Sequence, residues 1–117
     1  MTIEIHGIDL SAPCRIATIT CEMAGVSYDY KMVNLLKGEH MSEAFLKLNP
    51  QHTVPVMKDG DLVLNESRAI ACYIANAYAK DDKLYPKDPK VRAMVDARLY
   101  FDMGVLSSAF RTVFVSL

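Results

Sequence analysis

The sequence predicts an α/β fold: a strand–helix–strand unit, a short helix, a two-stranded hairpin with a helix after it, and then a further helical segment. Three observations carry this. Apolar positions alternate at Ile3 and Ile5 and then recur with helical spacing from Cys14 to Ala24, so the period changes within one short stretch. Tyr28-Asp29-Tyr30-Lys31-Met32-Val33 returns to residues that suit a pleated surface, which completes a βαβ unit with parallel strands. Asp59-Gly60 lies between two short apolar runs, a strong hairpin signal.

Taken in order, Ile3 and Ile5 mark the first strand, and Gly7 to Pro13 reads as a loop. On the following helix Ile16, Ile19 and Met23, with the small Ala17 and Ala24, supply a face to pack on a sheet, and Gly25 is suited to end it. After the second strand, Ser42 caps a short helix that runs to Leu48 and stops at Asn49-Pro50. Val54-Pro55-Val56-Met57 is the third strand and Leu62-Val63-Leu64 the fourth. Ser67 opens a helix to about Tyr78, on which Ile70, Tyr73, Ile74 and Ala77 follow helical spacing. Residues 81–89, with Asp81, Asp82, Lys83, Pro86, Asp88 and Pro89, have a linker composition. From Val91 onward one long helix is expected, with Met94, Leu99, Met103 and Leu106 in phase and an apolar tail at Val113-Phe114-Val115-Ser116-Leu117 that calls for a partner. The division is thus 1–80, a linker over 81–89, and a helical part over 90–117.

Composition narrows the function classes. The 117 residues suit one domain or one domain with part of a second, and 51% hydrophobic with 23% charged residues is an ordinary globular profile. A formal net charge of −1 with interleaved signs offers no basic stripe for nucleic acid. No stretch approaches the roughly 20 apolar residues of a membrane span, and Met1-Thr2-Ile3-Glu4 does not read as a signal peptide. Three cysteines are too few, and odd in number, for a disulfide framework, so a reducing cytoplasmic setting is expected. The histidines at 6, 40 and 52 and the cysteines at 14, 21 and 72 have no metal-site spacing, so no metal is expected.

Four segments could carry chemistry. Ser11-Ala12-Pro13-Cys14-Arg15 joins a strand to a helix start, where backbone N–H groups favour anions, thiolates included. A thiol with a pKa near 8.5 is only about 3% ionised at pH 7, and one charge-assisted hydrogen bond of roughly 1.5–3 kcal/mol lowers that pKa by one to two units. On spacing alone, Ser11 reads first as a helix cap. Gln51-His52-Thr53-Val54-Pro55 is a candidate cis-proline segment whose Val54 backbone would pair with an extended peptide while His52 donates to a carboxylate; an edge strand with a surface histidine is the alternative. Asn65-Glu66-Ser67-Arg68 opens a helix, so Ser67 and the free N–H groups suit a carboxylate and Glu66 an ammonium; a cap with a solvated ion pair is the alternative. His40, in Gly38-Glu39-His40-Met41, is either a surface loop histidine or a ligand contact. Cys21 and Cys72 read as small buried residues.

The order of these segments is familiar. The motifs L-S-A-P-C-R, N-L-L-K-G-E-H-M, F-L-K-L-N-P-Q-H-T-V-P, N-E-S-R-A-I, L-Y-P-K-D-P and L-Y-F-D-M-G resemble those of cytosolic glutathione transferases of the insect delta and epsilon classes, from about Ile3 to the end. The resemblance implies a thioredoxin-like N-terminal domain followed by the first helix of an all-helical domain, with the chain truncated after that helix. It implies that Ser11 stabilises the glutathione thiolate and that His40 and His52 approach the glycine end. Val54 would pair with the cysteinyl part, next to a cis Pro55. Glu66 and Ser67 would hold the γ-glutamyl head, supported by Arg68, and Leu35 would line the site. Met103, Leu106 and Phe110 would be the surviving wall of a pocket for a hydrophobic electrophile. Glutathione is then a substrate, and a homodimer is expected, since the family dimerises. Three readings follow: a transferase, a glutathione-binding or interaction module without turnover, and a glutaredoxin-like oxidoreductase. The third is opposed by Ser11 standing where a redox relative has cysteine, although Cys14 could still form a mixed disulfide.

Overall fold

The computed structural model describes residues 2–114. Its first strand, β1 (Ile3–Gly7), leads into α1 (Ala12–Ala24) and β2 (Tyr28–Met32). Two 3-10 turns, Leu35–Lys37 and Glu39–Met41, precede α2 (Glu43–Leu48); β3 (Val56–Asp59), β4 (Leu62–Asn65) and α3 (Ser67–Tyr78) complete the α/β part. The sheet order is β2-β1-β3-β4, with β1 and β2 parallel and the β1–β3 and β3–β4 pairs antiparallel. The chain divides into two compact units, the first ending at Leu84 and the second beginning at Tyr85.

Alternation along the strands assigns the faces. Ile3, Ile5 and Met57 join Ala17 and Cys21 of α1 and Ile70 and Ile74 of α3 in the main core. Val56, one residue from Met57 and therefore on the opposite face, packs with Val33 and Phe45, against which Leu35, Leu48 and Val54 also lie. So α1 and α3 cover one side of the sheet and α2 part of the other.

The structure corrects several sequence expectations. On α1 the buried residues are Cys14, Ala17 and Cys21, whereas Ile19 and Met23 are 54% and 65% exposed. At about 100° per residue, Ile19 and Met23 point away from the Cys14–Ala17–Cys21 stripe, and the small stripe lets the helix approach β1 closely. The approach is tight at Gly7, where a Cβ would sit 2.7 Å from Cys14 Sγ. Ala77 of α3 is exposed, with Ala75 buried instead. Cys21 is fully buried but Cys72 only partly. Helix α1 begins at Ala12 inside the expected loop, because Ser11 caps it and Pro13 occupies the first turn, where no amide donor is needed. Strand β3 starts at Val56 rather than Val54, since Pro55 has no N–H to give the ladder.

In the second unit the expected single helix is interrupted. α4 (Pro89–Phe101) passes into a π-helical turn at Asp102–Leu106 and then α5 (Ser107–Phe114). The Ser107 N–H reaches back five residues to the Asp102 carbonyl. Gly104, a poor helix former with open space at its Cβ position, lies in the widened turn. The extra residue breaks the phase of Met94, Leu99, Met103 and Leu106. The last part of the apolar tail, Val115 to Leu117, lies outside the described residues. The start of α4 is firmly built: the Asp88 side chain accepts from the Val91 N–H, and Arg92 stacks 3.8 Å over the Tyr85 ring while donating to the carbonyls of Pro86 and Tyr85.

Candidate functional site

The strand directions gather the predicted segments of the α/β unit at one rim of the sheet. β1 ends at Gly7, just before Ser11; β3 begins at Val56, just after Val54-Pro55; and β4 ends at Asn65, just before Glu66. His6 pairs with Val56 and Val56 with Asn65, so the three ends are neighbours in the ladder. The Val33 N–H donates to the Gly7 carbonyl at 2.8 Å and carries the 34–41 segment to the same rim.

Ser11 is half-buried and caps α1: the Cys14 N–H donates to its Oγ at 3.3 Å. That bond occupies a lone pair of the hydroxyl and leaves its proton available to donate. Both readings of Ser11 are therefore compatible. Cys14 is 1% exposed and packed beneath the turn. Arg15 braces the loop by donating to the Asp9 carbonyl at 2.7 Å.

The Val54–Pro55 peptide is cis, and Val54 is half-buried in the small core with Leu35. His52 is exposed and has a positive φ of 47°. Its ring centroid lies 6.3 Å from that of His40, whose buried Nδ1 has no hydrogen-bond partner among the described residues. An unpartnered buried ring nitrogen beside an exposed imidazole suits an incoming polar group. His40 thus belongs with His52.

Glu66 has φ 70° and leads into α3, whose first turn has no side-chain cap. The helix N-terminus thus presents uncapped N–H groups to an anion. Ser67 is 3% exposed, and its Oγ accepts from Arg68 Nη1 at 3.0 Å. Met103 and Leu106 lie in the π turn and Phe110 on α5, stacked on Phe114 at 4.4 Å; all three predicted pocket residues belong to the second unit and are exposed. Among the described residues, no group of three or more histidine, cysteine or acidic side chains is placed to hold a metal, and no helix is long and apolar enough to cross a membrane.

Sequence reasoning missed Asn49 and Asn65. The sequence pattern marks Asn49 only as a helix end, yet it is 3% exposed and engaged on both sides of its amide. A polar residue between a helix end and a proline was the only available signal.

A mixed four-stranded sheet with α1 and α3 on one face, and a cis-proline just before the strand that pairs with β1, defines a thioredoxin-like domain. The family described as glutathione S-transferase, N-terminal domain, matches residues 5–82, and the chain belongs to it. It is 47% identical over 112 residues to glutathione S-transferase 1 of Manduca sexta, covering 95% of this chain and 52% of that protein. A delta-class glutathione transferase of Nilaparvata lugens superposes with TM-score 0.93 at 49% identity, over 97% of this chain and 53% of the other. An epsilon-class enzyme of Musca domestica gives TM-score 0.93 at 42% identity, over 98% and 53%. A glutathione transferase homologue of Drosophila mojavensis, solved with bound glutathione, gives TM-score 0.89 at 45% identity, over 97% and 55%. The chain therefore spans about half the length of the relatives it matches.

Proposed function

We propose that this chain binds reduced glutathione at the rim and acts as a glutathione transferase, conjugating the thiolate to a hydrophobic electrophile in the cytoplasm. The observation that carries this reading is the meeting of Ser11, the cis Val54–Pro55 segment and the uncapped Glu66-Ser67 helix start at one sheet edge. In it, the Ser11 hydroxyl donates to the thiolate while its lone pair caps α1. The Val54 backbone pairs with the cysteinyl part, beside Pro55. His40 and His52 take the glycine carboxylate. Glu66 takes the γ-glutamyl ammonium, and Ser67 with the α3 N–H groups its carboxylate, supported by Arg68; Leu35 supports the floor. The electrophile lies against Met103, Leu106 and Phe110. A glutathione-binding part over 1–80, a linker over 81–89, a helical part over 90–117 and a homodimer belong to the same reading. Family membership and the relative solved with glutathione support it.

Calorimetric glutathione binding and turnover of a chlorinated aromatic electrophile, on wild type and Ser11→Ala, test the assignment. Binding is expected in both, with conjugation in the variant reduced about tenfold to a hundredfold, the range for losing one charge-assisted hydrogen bond of roughly 1.5–3 kcal/mol. A variant as fast as wild type refutes the role of Ser11. A wild type that does not bind glutathione refutes the function. Binding without turnover assigns the chain to the module reading.

A further inference from the structure

Two non-glycine residues among those described have positive φ, His52 at 47° and Glu66 at 70°. Each follows directly on a residue held by the same buried side chain. Asn49 Nδ2 donates to the Thr53 carbonyl at 2.9 Å and to Thr53 Oγ1 at 3.1 Å. Its Oδ1 accepts from the Gln51 N–H at 3.1 Å and from Asn65 Nδ2 at 3.3 Å. Asn65 Nδ2 also donates to Gln51 Oε1 at 2.8 Å, which closes the triangle. The Asn49 main chain adds to this: its N–H ends α2 on the Phe45 carbonyl, and its carbonyl accepts from the His52 N–H at 2.9 Å.

Positive φ is unfavourable for a side chain with a Cβ and persists where surrounding bonds over-determine it. Here the two strained residues belong to opposite ends of the proposed site, and this amide triangle links their segments. Asn65 is anchored from the other side by its place opposite Val56 in the sheet. Asn49 cannot rotate its amide without losing all four side-chain bonds.

Resting on the proposed glutathione site, we infer that Asn49, Gln51 and Asn65 are positioning residues: one amide bridge sets the separation between the His52 end and the Glu66-Ser67 end. It therefore acts as a ruler for ligand length. A tripeptide that engages both ends depends on the bridge, whereas a ligand that engages one end does not. None of the three residues needs to touch the ligand.

The test uses Asn65→Ala and Gln51→Ala, since Asn49→Ala strips four bonds from a buried site and endangers folding. Tyr78→Phe, which removes a hydrogen bond to Asp59 remote from the rim, serves as the control for a mere loss of stability. Calorimetry compares glutathione with γ-glutamylcysteine, which lacks the glycine end. Loss of the Asn65 Nδ2 bonds to Asn49 Oδ1 and Gln51 Oε1 leads to an expected weakening of glutathione by about tenfold in Asn65→Ala, against under about threefold for γ-glutamylcysteine. Tyr78→Phe should leave both affinities unchanged. An equal loss for both ligands, or no loss for either, overturns the ruler. Amide hydrogen exchange gives a readout without ligand: Asn65→Ala should speed exchange at His52 by about tenfold and leave Met57 in β3 unchanged. If wild type binds no glutathione, the proposed function fails, while exchange still decides the bridge: unchanged protection at His52 in Asn65→Ala overturns it.

Discussion

Gly7→Ala is the substitution whose cost the structure states most directly. A Cβ at Gly7 would lie 2.7 Å from Cys14 Sγ, 3.1 Å from Cys14 Cβ and 3.4 Å from Tyr30 Oη. Neither side yields easily. Gly7 pairs with Met32, and its carbonyl accepts from Val33. Cys14 is buried in the first turn of α1, with its N–H bonded to Ser11 Oγ. Overpacking of this kind costs about 1–3 kcal/mol, so a loss of about 2 kcal/mol and a fall in Tm of about 8 °C are expected. Cys14→Ala alone should cost about 1 kcal/mol, through lost burial of the sulfur. The double variant separates clash from mere disturbance. With the sulfur gone the nearest obstacle retreats to 3.1 Å, so the pair should lose about 1–1.5 kcal/mol rather than the additive 3 or so. Urea denaturation followed by circular dichroism measures all four proteins, with equal m values required for the comparison. Strict additivity, or a Gly7→Ala as stable as wild type, would refute the reasoning.

Two further predictions concern pH. Burial, with a smaller contribution from Glu22, pushes the Cys21 thiol from 9.0 to about 11. The folded state holds that proton more tightly, so the contribution is complete below pH 9 and is lost as pH rises through 11, by about 3 kcal/mol at the limit. Cys21→Ala should melt lower at pH 7 yet show a shallower decline in Tm between pH 9 and 10; an unchanged slope counts against the assignment. At the acid end, the hydroxyls of Tyr78 and then Tyr73 hold the Asp59 carboxyl below its usual range. That stabilisation is present above the unfolded value of 3.8 and is lost as pH falls through the depressed folded value. Asp59→Asn should flatten the stability curve below about pH 4, and an acid limb as steep as that of wild type would exclude Asp59 as its source.

Much of the fold was legible because local chemistry and global need agree. Gly25 adopts φ 72° at the end of α1 as its lack of a Cβ allows, and Ser42 caps α2 through the Phe45 N–H. The cis Pro55 and the uncapped start of α3 lie where the motifs placed them. What was not legible depended on relations between segments. On α1 the buried face is set by closeness of approach and not by side-chain size, so Ile19 and Met23 lie outside it while Ala17 lies within it. The structure buries Cys14, Ala17 and Cys21, since the helix must come within contact of Gly7. Gly104 lies in the π turn that interrupts the last helix, and no single-sequence pattern distinguishes such a turn from a kink. Asn49 and Asn65 are 16 positions apart, and their link exists only once β3 and β4 are paired.

The topology itself explains why one rim collects the candidate site. β1 runs parallel to β2 and antiparallel to β3, and β3 runs antiparallel to β4. The C-terminal ends of β1, β2 and β4 and the N-terminal end of β3 therefore share one edge. Each strand contributes one segment there: Ser11 after β1, Leu35 and His40 after β2, His52 and Val54 before β3, and Glu66 after β4. Reversing β2 would send Leu35 and His40 to the opposite edge and leave the other three in place. The βαβ crossover is thus the step that brings His40 to within 6.3 Å, ring to ring, of His52. A peptide lying along this edge meets a hydroxyl at a helix start, a main-chain segment and a second helix start in turn. In the proposed reading the thiolate faces the Ser11 hydroxyl while the charged ends of the peptide face the histidine pair and the Glu66-Ser67 helix start, with Ser11 acting as a hydrogen-bond donor and not as a nucleophile. The Oγ is held by the Cys14 N–H, and no base stands beside it among the hydrogen-bond partners that the structure gives it.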